Sequence, residues 1–211
     1  MYQPAHFKEE RVAVLHQLIR ENPLGALVSM TAEGLTANHI PFEIVDSPAP
    51  YGTLRAHVAR ANPVWKEVAG KEVMVIFQGA DAYISPSWYP SKKEHGKVVP
   101  TWNYAVVHAH GPLKVFDDAE WLRAFVTQLT ERHESSMPAP WKVTDAPADF
   151  IDATLKAIVG IEIPLARLTG KWKVSQNRPA MDRAGTIAGL GNVDAESARA
   201  MANMVSRAKN D

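Results

Sequence analysis

The sequence predicts an α+β domain built on an antiparallel β-barrel. Short apolar segments separated by turn residues at hairpin spacing indicate strands, and a few segments with apolar residues every three or four positions indicate flanking helices. This combination is typical of antiparallel barrels with added helices. The chain has 211 residues, of which 46% are apolar, and this is enough for one domain with its own core.

The strands are predicted from β-branched and aromatic residues bounded by Gly, Pro, Asn and Asp. The first two, separated by a turn over residues 31–34, predict a β-hairpin. Pro41 cannot donate a ladder hydrogen bond, so the second strand should lie at an edge or contain a bulge. We predict strands over residues 24–30, 35–45, 51–58, 72–78, 82–85, 101–116 and 161–174.

The helices are predicted from amphipathic spacing. The first should end before Pro23, because a residue that precedes proline disfavours the helical conformation, and Asp117 can cap a later one. We predict helices over residues 7–22, around 64–68, from 117 to about 129, over 147–158 and over about 194–208.

A single split-barrel domain over residues 1–211 is expected, with a helical insertion at about 117–158 and a C-terminal helix at about 194–208. The segment 86–100 is predicted as a long loop, and loops of this length are more often functional than neutral, so it is a candidate lid. The segment 185–191 contains three glycines without the strand, spacing and helix of a dinucleotide site, so we interpret it as a flexible loop.

Composition excludes several classes of function. The absence of cysteine excludes disulfides, a thiolate nucleophile and Cys-ligated metal, so redox chemistry would need a cofactor. The formal net charge of zero argues against a dedicated DNA-binding domain, although residues 171–183 carry four basic residues against one acidic residue. No stretch approaches the roughly 20 apolar residues that span a bilayer, and no secretory signal is recognisable, which predicts a cytoplasmic protein without membrane contact.

Metal binding and hydrolysis are poorly supported. His108 and His110 are two positions apart on one strand, but no HExxH motif or facial carboxylate accompanies them, so we predict no metal site. Serines lie near His95, yet no GxSxG elbow frames them.

The segment TLRAHVARANP predicts an anion-binding strand end. Arg55 and His57 lie on one face of a strand, and Arg60 and Asn62 follow its end. Guanidinium and turn amides together could hold a phosphate dianion, while an ordinary basic surface turn is the alternative.

Two further segments could line a groove for a planar ligand. LTANHIPFEI supplies neutral polar groups at Asn38 and His39, and PTWNYAVVHAHG supplies Trp102, Asn103 and Tyr104, whose rings could cover a ligand and whose amide could bond its edge. Core packing of the two rings is the alternative.

Four motifs resemble those of the PaiB-type FMN-binding negative transcriptional regulators: MYQPAHF, HVARANP, YISPSWYPSKKEHGKVVPTWNY and KWKVSQNRP. The motifs are long and extend over nearly the whole chain. The resemblance implies a six-stranded split β-barrel related to the pyridoxamine-phosphate-oxidase-like flavoproteins. It also implies a homodimer with FMN in grooves between the subunits.

The resemblance further implies which residues meet FMN. His57, Arg60 and Asn62 resemble the phosphate-binding turn, and the ring and ribityl chain would meet a second set. The residues implied as cofactor-binding are Asn38, His39, Pro41, His57, Arg60, Asn62, Trp102, Asn103, Lys171, Gln176, Asn177 and Arg178.

Two functions are expected from this resemblance. The first is a regulator that represses transcription directly or through a partner, with DNA contact weak or partner-mediated because the chain is neutral overall and lacks a clear helix-turn-helix. The second is an FMN-dependent oxidoreductase or flavin reductase acting on a small molecule, with no evident dedicated acid or base.

Overall fold

The computed structural model describes residues 1–208, and this part of the chain contains ten strands and seven α-helices. The strands are β1 Lys8–Glu9, β2 Leu24–Thr31, β3 Gly34–Pro41, β4 Glu43–Val45, β5 Thr53–Ala59, β6 Glu72–Ile84, β7 Thr101–Pro112, β8 Lys114–Phe116, β9 Ile158–Pro164 and β10 Arg167–Lys173. The α-helices are α1 Val12–Glu21, α2 Val64–Glu67, α3 Ser91–His95, α4 Ala119–Glu134, α5 Ala148–Leu155, α6 Ala180–Gly191 and α7 Glu196–Arg207. Short 3-10 helices occupy Ala5–Phe7, Pro86–Trp88 and Val143–Asp145.

The strands form two sheets. One has six strands in the order β1-β10-β7-β6-β2-β3, and the other has four in the order β4-β5-β9-β8. The predicted hairpin is confirmed, because β2 and β3 pair antiparallel from Leu24 opposite Pro41 to Thr31 opposite Gly34. In the second sheet, β9 pairs antiparallel with both β5 and β8.

The chain divides into two compact units, each assembled from separate stretches of sequence. The hairpin unit contains residues 23–76 and 109–168, and the terminal unit contains residues 1–22, 77–108 and, among the described residues, 169–208. The extent of the single domain predicted from sequence stays a prediction.

The core of the hairpin unit follows from strand alternation. Leu54, Ala56 and Val58 on β5 point inward, and so do alternate residues of its partner β9 such as Ile161 and Ile163. Full burial of each Leu or Ile contributes about 1.5–3 kcal/mol relative to exposure.

The helical insertion packs a small apolar cluster of its own. Leu122 of α4 and Ile151 and Leu155 of α5 form its buried part. On β9, Gly160 leaves room for the ring of Trp121, which would lie 2.2 Å from an added Cβ. The predicted helical character of residues 117–158 therefore holds over α4 and α5, with the cap one residue later than predicted, since the side chain of Asp118 accepts from the amide of Trp121.

The terminal unit holds the clearest departure from the sequence prediction. The glycine-containing segment interpreted as a flexible loop is part of α6, so that interpretation was wrong. Gly185 and Gly189, one turn apart, allow this helix to approach Trp88, and Leu190 packs in a buried cluster with Tyr89, Met201 and other apolar residues. The glycines therefore provide close packing rather than flexibility.

Several predicted boundaries also change. The two strands predicted at 72–78 and 82–85 are one strand, β6, whereas the segments predicted over 35–45, 101–116 and 161–174 each divide into two strands. The segment 86–100, predicted as a loop, contains a 3-10 helix and α3. Within the described residues, no helix has the length and apolar character needed to cross a membrane.

Candidate functional site

In the hairpin unit, the side chains of Asn38 and Asn62 are hydrogen-bonded to each other. Asn38 lies on β3, and Asn62 lies in the turn after β5. Asn62 Nδ2 donates to Asn38 Oδ1 at 2.8 Å, while Asn62 Oδ1 accepts from the amide of Val64 at 3.0 Å. Asn62 thus shapes the turn, and the amide NH2 of Asn38 remains available to a ligand.

These two asparagines line a groove of about 390 Å³. The groove offers hydroxyl and amide groups together with carboxylates, from Thr31, Thr36, Asn38, Asn62, Glu33 and Glu67. None of its lining residues is Lys or Arg. This donor set suits hydroxyl-rich groups such as a ribityl chain, whereas the carboxylates would repel a phosphate.

Arg60 is engaged by groups of its own unit. Its Nη1 and Nη2 donate to both carboxylate oxygens of Asp117, at 2.8 and 2.6 Å, and its Nε and Nη2 donate to the carbonyl oxygens of Lys156 and Ile158. The hydrogen bonds from Arg60 hold the pKa of Asp117 below its usual value. A phosphate at Arg60 would therefore have to compete with Asp117, so this role for Arg60 stays a prediction.

The neighbouring basic residues of β5 also have partners. The ring of His57 lies edge-on to Phe125, with centroids 6.0 Å apart, and burial lowers the pKa of His57, which disfavours its charged form. Arg55 Nε donates to Glu162 Oε1 at 2.8 Å. Neither side chain offers an uncompensated charge to a phosphate.

His39 and Pro41 lie on the other face of the hairpin, because strand residues alternate in direction. This surface, here called the hairpin face, is apolar apart from His39. Its residues on β2 lie directly opposite its residues on β3. Met30 opposite Leu35 marks its most exposed end, with exposed fractions of 59% and 75%. The hairpin face consists of Leu24, Ala26, Val28, Met30, Leu35, Ala37, His39 and Pro41.

In the terminal unit, two aromatic rings are open to solvent. Trp102 on β7 and Tyr83 on β6 are each about half exposed, and they meet edge to face with centroids 6.1 Å apart. Trp102 is thus not a core residue, and its ring is accessible to a planar ligand.

Three of the predicted residues, Asn103, Gln176 and Asn177, belong to the turn after β10 or bond to it. Asn103 is 1% exposed and donates from Nδ2 to Ser175 Oγ at 2.9 Å, and Ser175 has a positive φ of 62°. The side chain of Gln176 bonds to backbone groups of Trp172 and Val174, while Asn177 is exposed at the tip of the turn. Asn103 and Gln176 thus hold the turn that carries Arg178.

The terminal unit also contains three basic side chains close to one another. Lys171 and Lys173 are two positions apart on β10, so their side chains lie on the same face of the strand. Arg178 lies in the turn that follows. Burial lowers the pKa of Lys173, with a further contribution from the positive charges of Lys171 and Arg178 and an opposing one from Tyr104. This basic cluster, defined as Lys171, Lys173 and Arg178, is where the local excess of positive charge in the sequence is found.

Two side-chain contacts of the predicted site residues were not predicted from the sequence. The partnership of Arg60 with Asp117 joins residues 57 positions apart, and it depends on the pairing of β5 and β8 with β9. The Tyr83 ring beside Trp102 was also missed, although period-two alternation on β6 could have placed it on an exposed face.

Residues 1–167 match the protein family described as "Putative FMN-binding domain". The chain belongs to this FMN-binding family. It is 31% identical over 206 residues to "Protease synthase and sporulation protein PAI 2" of Bacillus subtilis, covering 97% of this chain and 96% of that protein. An uncharacterized protein of Emericella nidulans is 34% identical over 241 residues, with the same coverage of the two chains.

Solved structures show the fold. The FAD and heme binding protein from Mycobacterium smegmatis superposes with a TM-score of 0.59 at 16% identity, covering 79% of this chain and 73% of that one. The flavocytochrome Anf3 from Azotobacter vinelandii gives 0.53 at 14%, covering 79% and 69%. The predicted fold class, an α+β antiparallel split β-barrel with flanking helices, is confirmed.

FMN is the cofactor of the family, as the sequence predicts. The residues present fit it in kind. Within the terminal unit alone, the exposed ring pair suits contact with an aromatic ring, and the basic cluster suits contact with a phosphate. Which of the predicted residues contact FMN stays a prediction.

Proposed function

We propose that this protein is an FMN-binding homodimer that represses transcription through a protein partner. Its relative in Bacillus subtilis, similar over almost the whole chain, is named for protease synthesis and sporulation, which supports a regulatory role. The formal net charge of zero, together with the lack of a row of exposed basic residues on α6 or α7, is the observation that favours a partner over direct DNA contact. The cytoplasmic location predicted from sequence belongs to the same proposal.

Several basic residues are buried or engaged within the protein. Lys171 is 9% exposed. In the C-terminal helices, Arg183 donates to the carbonyl oxygens of Val205 and Ala208, and Arg199 pairs with Asp194. Helix–DNA contacts need a row of exposed basic groups on one helix, and α6 and α7 present none of this kind.

A titration with DNA across a salt series tests this proposal. We expect duplex DNA to bind with a Kd no tighter than about 1 μM at physiological salt, equally for any sequence, with affinity falling steeply as salt rises. Fluorescence anisotropy with a labelled fragment of the upstream region of the protein's own gene, against a scrambled duplex of equal length, measures it. Sequence-specific nanomolar binding at physiological salt would contradict partner-mediated repression.

The homodimer is supported by the hairpin face. Large exposed apolar surfaces often mark protein–protein contacts, and a second copy can cover the hairpin face by two-fold symmetry. Because His39 is the single titratable group on this face, two copies could meet there without like-charge repulsion. The predicted FMN contacts at His39 and Pro41 would then lie beside the partner subunit.

An FMN-dependent oxidoreductase is the second candidate. It is favoured by the half-exposed rings of Tyr83 and Trp102, which leave a flat surface accessible to another planar ring such as a nicotinamide. FMN would supply the electron chemistry, and the chain would bind and orient it. Consumption of NADH by the FMN-loaded protein, faster than by the same concentration of free FMN, would favour this candidate over the regulator.

A further inference from the structure

We infer that Lys171, Lys173 and Arg178 form an anion subsite that takes the phosphate of FMN. This inference rests on FMN binding by the chain, and it moves the phosphate from the turn at Arg60 to the turn after β10.

The burial of Lys171 is the first observation. Its ammonium group is removed from most solvent, yet among the described residues no carboxylate pairs with it. Instead, Nζ lies over two aromatic rings, 5.3 Å from the centroid of Tyr104 and 5.8 Å from that of Tyr2. Aromatic faces stabilise a cation but do not neutralise it, so the site retains its positive charge.

The neighbouring cations add to this charge. Lys173 Nζ donates to the hydroxyl of Thr101, a neutral partner, and the Arg178 guanidinium lies over the ring of Tyr89, with Cζ 5.0 Å from the centroid. Within the described part of the chain neither pairs with a carboxylate. Three cations within eight residues of sequence therefore repel one another, and an anion bound between them would remove this repulsion.

Asp182, the acidic residue nearest to the basic cluster in sequence, is hydrogen-bonded to another residue. Asp182 is 1% exposed, and its carboxylate accepts from the amide of Ser91 at 3.1 Å and from the Ser91 hydroxyl at 2.7 Å. These bonds tie the start of α6 to α3. Asp182 is therefore held as a structural acceptor for Ser91 and does not pair with the basic cluster.

The turn that carries Arg178 is held in position by hydrogen bonds within the protein. The amide of Arg178 donates to the carbonyl of Ser175 at 3.0 Å, and Ser175 is fixed by Asn103. A guanidinium that is already positioned loses less conformational freedom on binding, and its N–H groups match phosphate oxygens. The alternative phosphate ligand, Arg60, is neutralised by Asp117.

The test compares FMN with riboflavin, which lacks the phosphate. Dissociation constants from flavin fluorescence quenching are measured for the unmodified protein and for Lys171→Met, Lys173→Met and Arg60→Gln. The matched control is Lys66→Met, since Lys66 is an exposed lysine that also lies over a ring, 4.9 Å from the centroid of Trp65. Circular dichroism checks that each variant is folded, and Lys173→Met carries the test if the more buried Lys171 tolerates no change.

We expect Lys171→Met and Lys173→Met each to weaken FMN binding by about 10-fold or more, the worth of a charge-assisted hydrogen bond. Riboflavin binding should change by less than about 2-fold in the same variants, and inorganic phosphate should compete with FMN in the unmodified protein. Lys66→Met should leave both affinities unchanged.

Four outcomes would overturn the inference. Equal losses for FMN and riboflavin would show that the lysines act through folding or ring contacts. A selective loss of FMN in Arg60→Gln alone would return the phosphate to the Arg60 turn. Failure of the unmodified protein to bind either flavin would remove the cofactor as well as the subsite, whereas equal affinity for both flavins would remove the subsite alone.

Discussion

Lysine in place of Met30 is expected to separate the proposed homodimer into folded monomers. Met30 is 59% exposed in the single chain and lies near one end of the hairpin face. In a two-fold interface the substitution occurs twice, and burying each ammonium against an apolar surface costs about 2 kcal/mol or more. The dimer dissociation constant should therefore rise by about 1,000-fold.

Light scattering coupled to size-exclusion chromatography measures this effect at micromolar concentration. The matched control is Phe150→Lys, which places the same charge on another exposed apolar position, on α5 of the same unit. Phe150→Lys should remain dimeric. A monomeric unmodified protein, or a Met30→Lys variant that stays dimeric, would show that this face does not form the interface.

Alanine in place of Gly185 is expected to destabilise the protein. An added Cβ would lie 2.0 Å from the carbonyl oxygen of Trp88 and 3.1 Å from Pro90 Cδ. Because the nearest atom belongs to the backbone, no side-chain rotation relieves the clash, and either α6 or the Pro86–Trp88 turn must move. A clash with the backbone costs up to about 3 kcal/mol, which exceeds the roughly 1 kcal/mol that alanine contributes to a helix. Thermal unfolding should show a midpoint lower by about 2–8 °C.

The control for this experiment lies in the same helix. At Gly191, an added Cβ would have nothing within 4 Å, so Gly191→Ala should leave the midpoint unchanged or raise it slightly. Equal behaviour of the two variants would mean that the segment is a flexible loop and that α6 does not pack on Trp88.

Local sequence patterns predicted the elements whose cause is local. The hairpin of β2 and β3 follows from alternation around a short turn, and α4 follows from its apolar spacing after an acidic cap. The same reasoning failed for α6, because Gly185 and Gly189 were taken as signs of flexibility. Their role depends on Trp88, which is about 100 positions away in the chain, and no local pattern reports such a contact.

The sequence indicated which kinds of residue could form the candidate site, but it did not predict the contacts that these residues make. Asn38 and Asn62 were both expected at the cofactor site from sequence, but their direct hydrogen bond was not predicted. The engagement of Arg60 by Asp117, and of Asn103 by Ser175, depends on side-chain geometry across distant segments. A basic residue in a sequence motif therefore indicates an anion site only when the structure shows that no carboxylate already neutralises it.

The most direct test of the central claim is a titration of the unmodified protein with FMN. Quenching of flavin fluorescence should reach saturation at one FMN per chain, with a Kd at or below about 10 μM, and the bound flavin should co-migrate with the protein on gel filtration. Absence of saturable quenching at a protein concentration of about 100 μM would contradict an FMN-binding function for this chain.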